Sequence, residues 1–301
     1  MRAAHQRLCL LLALGAAPAA AAQAPALEHF TVVADGHPLA LWARRPANPR
    51  GAILLLHGRT WSALPDFDLQ VPGESRSVLA GLAARGYAAY ALDLRGYGGT
   101  PRDPTGWLTP RRAAEDVHQA LAWIIAQQPA PARAVLLGWS NGAMLAQLVA
   151  QLHPGQLSAL ILYGYPWDPD ESVPEDTDTT AAPHQPNSER DAAADFQSPG
   201  TTSRRMVAAY VAAAIRADPI LAEWRSYDQF NALDPKRVRT PTLVLQGEHD
   251  PEPRDALRRL FSRLGTADKQ RVTLMGGDHA ALLEDTKPRF VDAIVAFLER
   301  R

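Results

Sequence analysis

Apolar residues fall into two alternating patterns along this chain. Residues 51–56 (GAILLL), 87–94, the run ending at Gly138, 159–163, 240–246 and 271–275 are short and largely continuous. Such runs predict strands buried on both faces, as parallel strands are. Between them, residues 75–85, 109–128, the segment after Ser140, 253–264 and 287–300 space their apolar positions at helical intervals. Gly86 closes the first of these, and Thr109-Pro110 opens the second with a capping residue and a proline at the first position. Residues 29–33 and 40–44 alternate around Asp35-Gly36, a hairpin signal, and predict an antiparallel edge. Residues 65–69 read as loop. The result is an α/β chain with a mostly parallel sheet.

The alternation stops at Pro166. Six acidic residues and no lysine or arginine lie between Asp168 and Asp178, and prolines continue to Pro199. This acidic run lacks the glycine and closing glutamate of a calcium loop and reads as a solvated insertion. Residues 204–216 and 220–230 carry helical periodicity with Met206, Tyr210, Trp224 and Tyr227. Residues 167–236 are therefore expected as a cap inserted into a core made of 23–166 and 237–301. Residues 1–22 have a basic start, an apolar run and an alanine tract, which predicts an export signal and a secreted or periplasmic mature protein. Its apolar part is too short for a membrane span, and no stable membrane insertion is expected after its removal.

Composition narrows the chemistry. A net charge of −1 gives no footprint for nucleic acid. The single cysteine, Cys9, falls in the leader, so the mature chain has no disulfide, thiolate metal site or cysteine nucleophile.

Chemistry-bearing residues gather at the ends of predicted strands. Gly138-Trp139-Ser140-Asn141-Gly142 is a G-x-S-x-G turn between a strand and a helix. Such a turn exposes the serine hydroxyl on a strained backbone, and the two glycines leave room where strand and helix nearly touch. The helix start presents the Asn141 N–H to a developing oxyanion. His57-Gly58-Arg59-Thr60-Trp61 follows the first buried strand, so the N–H of Arg59 or Thr60 is a second donor, with His57 read as structural. Glu248 and Asp250 follow the fifth buried strand, and Asp278 and His279 the sixth.

This order of serine, acid and histidine resembles the α/β-hydrolase fold over nearly all of residues 28–301. The resemblance implies about eight strands with helices on both faces, Ser140 as nucleophile, His279 as base, Asp250 orienting it, and an oxyanion hole from Asn141 and Arg59. Glu248 and Asp278 stand as alternative acids. Relatives with carboxylate or cysteine nucleophiles are not matched, and the loop at His57 is not the H-G-G-G type of many lipases. Without any metal or organic cofactor, hydrolysis of a small-molecule ester, lactone or thioester of modest size is expected. An aminopeptidase or amidase of the same fold and a non-catalytic ligand-binding member are the alternatives. Trp61, Trp139 and Trp167 are candidate substrate contacts in an apolar pocket under the cap.

Overall fold

The computed structural model describes residues 24–129 and 132–301; the leader at 1–22 lies outside the described residues. Ten strands occur among them. Strand β1 (Leu27–Ala34) turns through Asp35 and Gly36 into β2 (His37–Arg44). Both turn residues have positive φ, 51° and 73°, as a two-residue type I′ hairpin requires. The chain continues through β3 (Ala52–Leu56), helix α1 (Ala63–Phe67), α2 (Val78–Ala84), β4 (Ala88–Leu92), the two-residue β5 (Trp107–Leu108) and α3 (Pro110–Ala126). Then come β6 (Ala134–Trp139), α4 (Asn141–Leu152), β7 (Leu157–Tyr163), α5 (Glu189–Ala193), α6 (Arg204–Ala217) and β8 (Glu223–Trp224). Finally β9 (Thr242–Gly247), α7 (Arg254–Arg263), β10 (Lys269–Leu274) and α8 (Lys287–Glu299) complete the core.

Eight strands form one sheet in the order β1-β2-β4-β3-β6-β7-β9-β10. Only the β1–β2 and β2–β4 pairs are antiparallel. The continuous apolar runs are explained by two-sided burial. Leu54 and Leu56 of β3 face a core layer with Leu121 of α3, Leu145 of α4 and Leu257 of α7. Their neighbours Ile53 and Leu55 face the opposite layer with Leu79 of α2 and Phe290 of α8. Each strand thus presents alternate side chains to helices on both faces.

Two local expectations change. Residues 65–69 are not all loop, because α1 starts at Ala63 and holds Pro65 in its first turn, where a missing N–H costs nothing. Residues 220–230 are not one helix. Ser226 takes a left-handed φ of 55°, so the segment splits into β8, which pairs with β5, and a 3₁₀ turn at Tyr227–Ala232.

Residues 167–236 leave the sheet after β7 and rejoin it at β9, the strand beside β7. The acidic run is stapled to the core: Arg259 of α7 donates from Nε to Asp168 Oδ1 at 2.9 Å, and Arg263 pairs with Asp170. At the end of α6, Asp218 accepts the backbone N–H groups of Ser62 and Gly98, each at 2.8 Å. That carboxylate fixes the loops after β3 and β4 together.

Candidate active site

Strand β6 ends at Trp139 and α4 begins at Asn141, leaving Ser140 alone at the corner with φ 56° and ψ −123°. A serine at such angles costs roughly 1–3 kcal/mol of strain, which the surroundings must impose. They do so by proximity. A Cβ on Gly138 would stand 2.0 Å from the Gly142 carbonyl oxygen, and one on Gly142 would stand 2.4 Å from that of His57. The Ser140 N–H is held by the Tyr163 carbonyl at 2.9 Å. Among the described residues the N–H groups of Asn141 and Arg59 have no hydrogen-bond partner, as an anion-binding pair requires.

The loops after β9 and β10 bring Asp250 against His279, with Oδ1 3.1 Å from Nδ1. Burial disfavours the imidazolium, but the Asp250 hydrogen bond and charge outweigh it, and the His279 pKa lies above the ordinary histidine value. The ring is aimed by its backbone: the Trp139 indole N–H donates to the His279 carbonyl at 2.9 Å. Gly164, just past β7 at φ +55°, makes room for the pair. A Cβ there would lie 2.9 Å from His279 Cε1 and 3.4 Å from Asp250 Oδ2.

The other acids are engaged elsewhere. Glu248 accepts the Gly276 N–H at 2.8 Å. Asp278 accepts the N–H groups of Gln197, Ser198 and Ala280 at 2.7–2.8 Å, tying the insertion to the His279 loop. His57 is fully buried, and its Nε2 accepts the Leu94 N–H at 3.2 Å, so the proton sits on Nδ1 and donates to the Gly58 carbonyl at 2.8 Å. Burial pushes its pKa down to about 4 and keeps it neutral.

Ser140 and His279 open on a cavity of about 90 Å³, closed by Arg59, Trp61, Trp139 and two aspartates, Asp66 and Asp195. The Tyr210 hydroxyl lies between these carboxyls, 3.0 Å from Asp66 Oδ1 and 2.9 Å from Asp195 Oδ2. Burial, reinforced by the Asp195 charge, raises the Asp66 pKa well above the usual carboxylate range. Burial also raises Asp195, to about 6. Burial thus favours a proton on this pair of carboxyls, which the Tyr210 hydroxyl bridges. A larger groove of about 500 Å³ runs between α1 and α6, but it is lined by residues such as Leu64, Leu69, Ala209 and Ala213 and includes none of the site residues. Among the described residues no group of three or more potential ligands could hold a metal ion, and no helix is long and apolar enough to cross a membrane.

Residues 47–286 match the family described as serine aminopeptidase, S33. The chain belongs to this family of α/β-hydrolases. A curated relative is the pimeloyl-[acyl-carrier protein] methyl ester esterase of Edwardsiella ictaluri, 37% identical over 86 residues; the match spans 29% of this chain and 29% of that one. Similar solved structures include a serine hydrolase involved in carbazole degradation, with TM-score 0.65 and 20% identity over 92% of this chain and all of that one. A thermophilic esterase from Thermogutta terrifontis gives TM-score 0.62 and 17% identity over 91% and 98% of the two chains. At these identities the structures show the fold.

Within this α/β-hydrolase, Ser140, His279, Trp61 and Trp139 share the cavity and Asp250 stands behind the histidine. Trp167 does not line the cavity; it packs towards Phe230, ring centroids 6.4 Å apart, in the layer against α4. The Arg59 guanidinium lies over the Tyr227 ring at 5.3 Å, and the Tyr227 hydroxyl donates to Asn141 Oδ1 at 3.2 Å. An apolar pocket is expected from the sequence, whereas the wall facing Ser140 carries two carboxyls. The overlooked residues are Asp66, Asp195 and Gly164, and Tyr210, read from the sequence only as part of a helical pattern, joins the two carboxyls. Of these only Gly164 leaves a sequence signal, a glycine directly after a buried strand, much as Gly58 follows β3 by two residues.

Proposed function

We propose that this α/β-hydrolase is a serine hydrolase that cleaves small carboxylic esters, with lactones and thioesters in the same class, through an acyl-enzyme on Ser140. The observation that carries the reading is the Asp250–His279 hydrogen bond at the mouth of the cavity that also exposes a strained Ser140. Ser140 Oγ attacks the carbonyl carbon while His279 Nε2 takes its proton. Asp250 holds the imidazolium through Nδ1. The carbonyl oxygen, now negative, accepts from the Arg59 and Asn141 N–H groups. Collapse breaks the ester bond, and the leaving alcohol takes the proton from His279. Water then repeats the sequence on the acyl-enzyme, with His279 again as base, and releases the acid. A cavity of about 90 Å³ encloses only a short substituent. The curated relative's designation as a methyl ester esterase supports esters over other acyl derivatives.

The carboxyls beside the cavity favour a second reading, cleavage of aminoacyl amides, since a carboxylate attracts an ammonium group. The deciding experiment is a panel of short esters, lactones, thioesters and aminoacyl amides turned over by the wild type and by Ser140→Ala, with organophosphonate labelling of Ser140. Serine-dependent ester turnover, lost by a factor on the order of 10⁴–10⁶ in the variant, is the expected result. Turnover confined to amides would move the assignment to a peptidase, and ligand binding with neither labelling nor turnover would make the protein a binder. Export to the periplasm or medium is proposed from residues 1–22, and N-terminal sequencing of the mature protein after cell fractionation tests it.

A further inference from the structure

The cavity wall holds a donor and an acceptor that do not satisfy each other. Trp61 is 2% exposed, and its indole Nε1, which can only donate, closes no hydrogen bond. Its nearest charged acceptor is Asp195, whose ionised form it favours as a hydrogen-bond donor would, but the contact is too long or too bent to close. Asp195 uses Oδ2 for the Tyr210 hydroxyl, and no donor among the described residues bonds to Oδ1. A buried indole N–H left in this state is costly and is normally completed by something that enters the site, and Asp195 Oδ1 is open to the same group.

The missing group must accept from an indole N–H and donate to a carboxylate within a space of about 90 Å³. An alkyl group does neither. An ammonium donates to Asp195 but leaves Trp61 unpaired, and a carboxylate accepts from Trp61 but meets the Asp195 charge. A hydroxyl does both. We propose that Trp61 and Asp195 form a hydroxyl-recognition pair, so that the preferred ester carries a hydroxyl on the short substituent enclosed beside Ser140. Tyr210, which also bonds to Asp66, holds Asp195 in place from behind. The inference rests on the serine-hydrolase reading and names the substrate class for that same site.

The test uses matched short-chain esters that differ at one terminal position, methyl, hydroxyl, ammonium or carboxylate, placed first on the acyl and then on the alcohol side. On one of the two sides the hydroxyl ester should exceed the methyl ester in kcat/KM by about tenfold, the worth of a hydrogen bond to a charged group. Trp61→Phe and Asp195→Ala should each abolish that ratio, and the double variant should lower it no further. Equal handling of hydroxyl and methyl esters by the wild type would overturn the proposal, the pair then holding a water. A preference for ammonium, removed by Asp195→Ala but not by Trp61→Phe, would overturn it in favour of charge recognition. Organophosphonate labelling of Ser140 is measured on every sample. An unlabelled wild type would sink the serine-hydrolase reading itself, whereas labelled protein without the hydroxyl preference sinks only this inference. Where a variant fails to label through misfolding, the wild-type panel still decides.

Discussion

The turn at Ser140 and the insertion at 167–236 face each other across one small cavity, yet they are built in opposite ways. At the turn the constraints are contacts with packed backbone. Gly138 and Gly142 are required because backbone atoms four residues apart, or on adjoining β3, would touch any side chain. In the insertion each functional group is set by a distant partner: Tyr210 by Asp66, Asp218 by Ser62, and the Gln197 and Ser198 N–H groups by Asp278. The turn fixes where a covalent bond can form, and the insertion fixes what surrounds it. Substitutions near the turn and its partners should therefore act on kcat, and substitutions in the insertion on selectivity and stability.

The largest effect after Ser140 itself is expected at the acid. Asp250→Asn presents an amide to His279 Nδ1 and should lower kcat by about 10⁴-fold with little change in KM. Glu248→Gln should leave turnover near wild type, because that side chain bonds to the Gly276 N–H rather than to the imidazole. The opposite ranking in steady-state kinetics would relocate the acid to Glu248.

Gly164→Ala sharpens the same point from outside the motif. The added methyl would meet His279 Cε1 at 2.9 Å and Nδ1 at 3.0 Å, at a φ that alanine resists. Displacing the imidazole by part of an ångström should cost about 10²-fold in kcat, while circular dichroism remains that of the folded chain. Unchanged turnover would mean that the ring tolerates another position.

The third effect is on the pH profile. His279 must be neutral to accept the Ser140 proton, and its pKa is raised by Asp250. For a neutral ester, kcat/KM should fall about tenfold per unit on the acid side, and the fall should begin above the pH where an ordinary histidine titrates. His57, neutral down to about pH 4, adds no limb in that range. A flat profile from about pH 8 to about pH 5 would exclude a histidine base.

Legibility follows the same division. The sheet could be read because Leu54 and Ile53 belong to a run that must be buried on both sides, and the elbow because the glycine-flanked serine falls between a buried strand and a helical pattern. The Asp250 assignment could be narrowed but not closed, since Glu248 lies on the same turn and only the fold shows which carboxylate reaches Nδ1. Asp66 and Asp195 could not be seen at all. One lies in a proline-containing stretch that reads as loop, the other in an acidic, alanine-rich insertion, and nothing local says that Tyr210 joins them. Trp167 misled for the same reason, as an aromatic in an insertion reports burial without reporting against what.

The smallest predicted effect concerns stability and isolates the insertion's side of the comparison. The Asp195 pKa in the folded chain, about 6, lies above its ordinary value of 3.8. The folded state therefore holds this proton more tightly than the unfolded state. The stability that proton brings is complete below about pH 4 and is lost as pH rises to about 6 and beyond. At about pH 7.5 the ionised carboxyl leaves the fold weaker than in acid by about 1–3 kcal/mol, roughly two pKa units of differential protonation being the upper bound. An asparagine side chain in its place would be neutral throughout and could still accept from Tyr210. Asp195→Asn should accordingly melt higher than wild type at about pH 8 and converge with it near pH ~4.5, where the Asp195 carboxyl is protonated in the fold and exerts no charge on Asp66. A melting difference that is the same at both pH values would reduce Asp195 to a hydrogen-bond partner of Tyr210. The expected convergence in acid instead means that the insertion keeps an ionised group beside the nucleophile at the expense of its own stability, which is the pattern of a residue retained for the ligand and not for the fold.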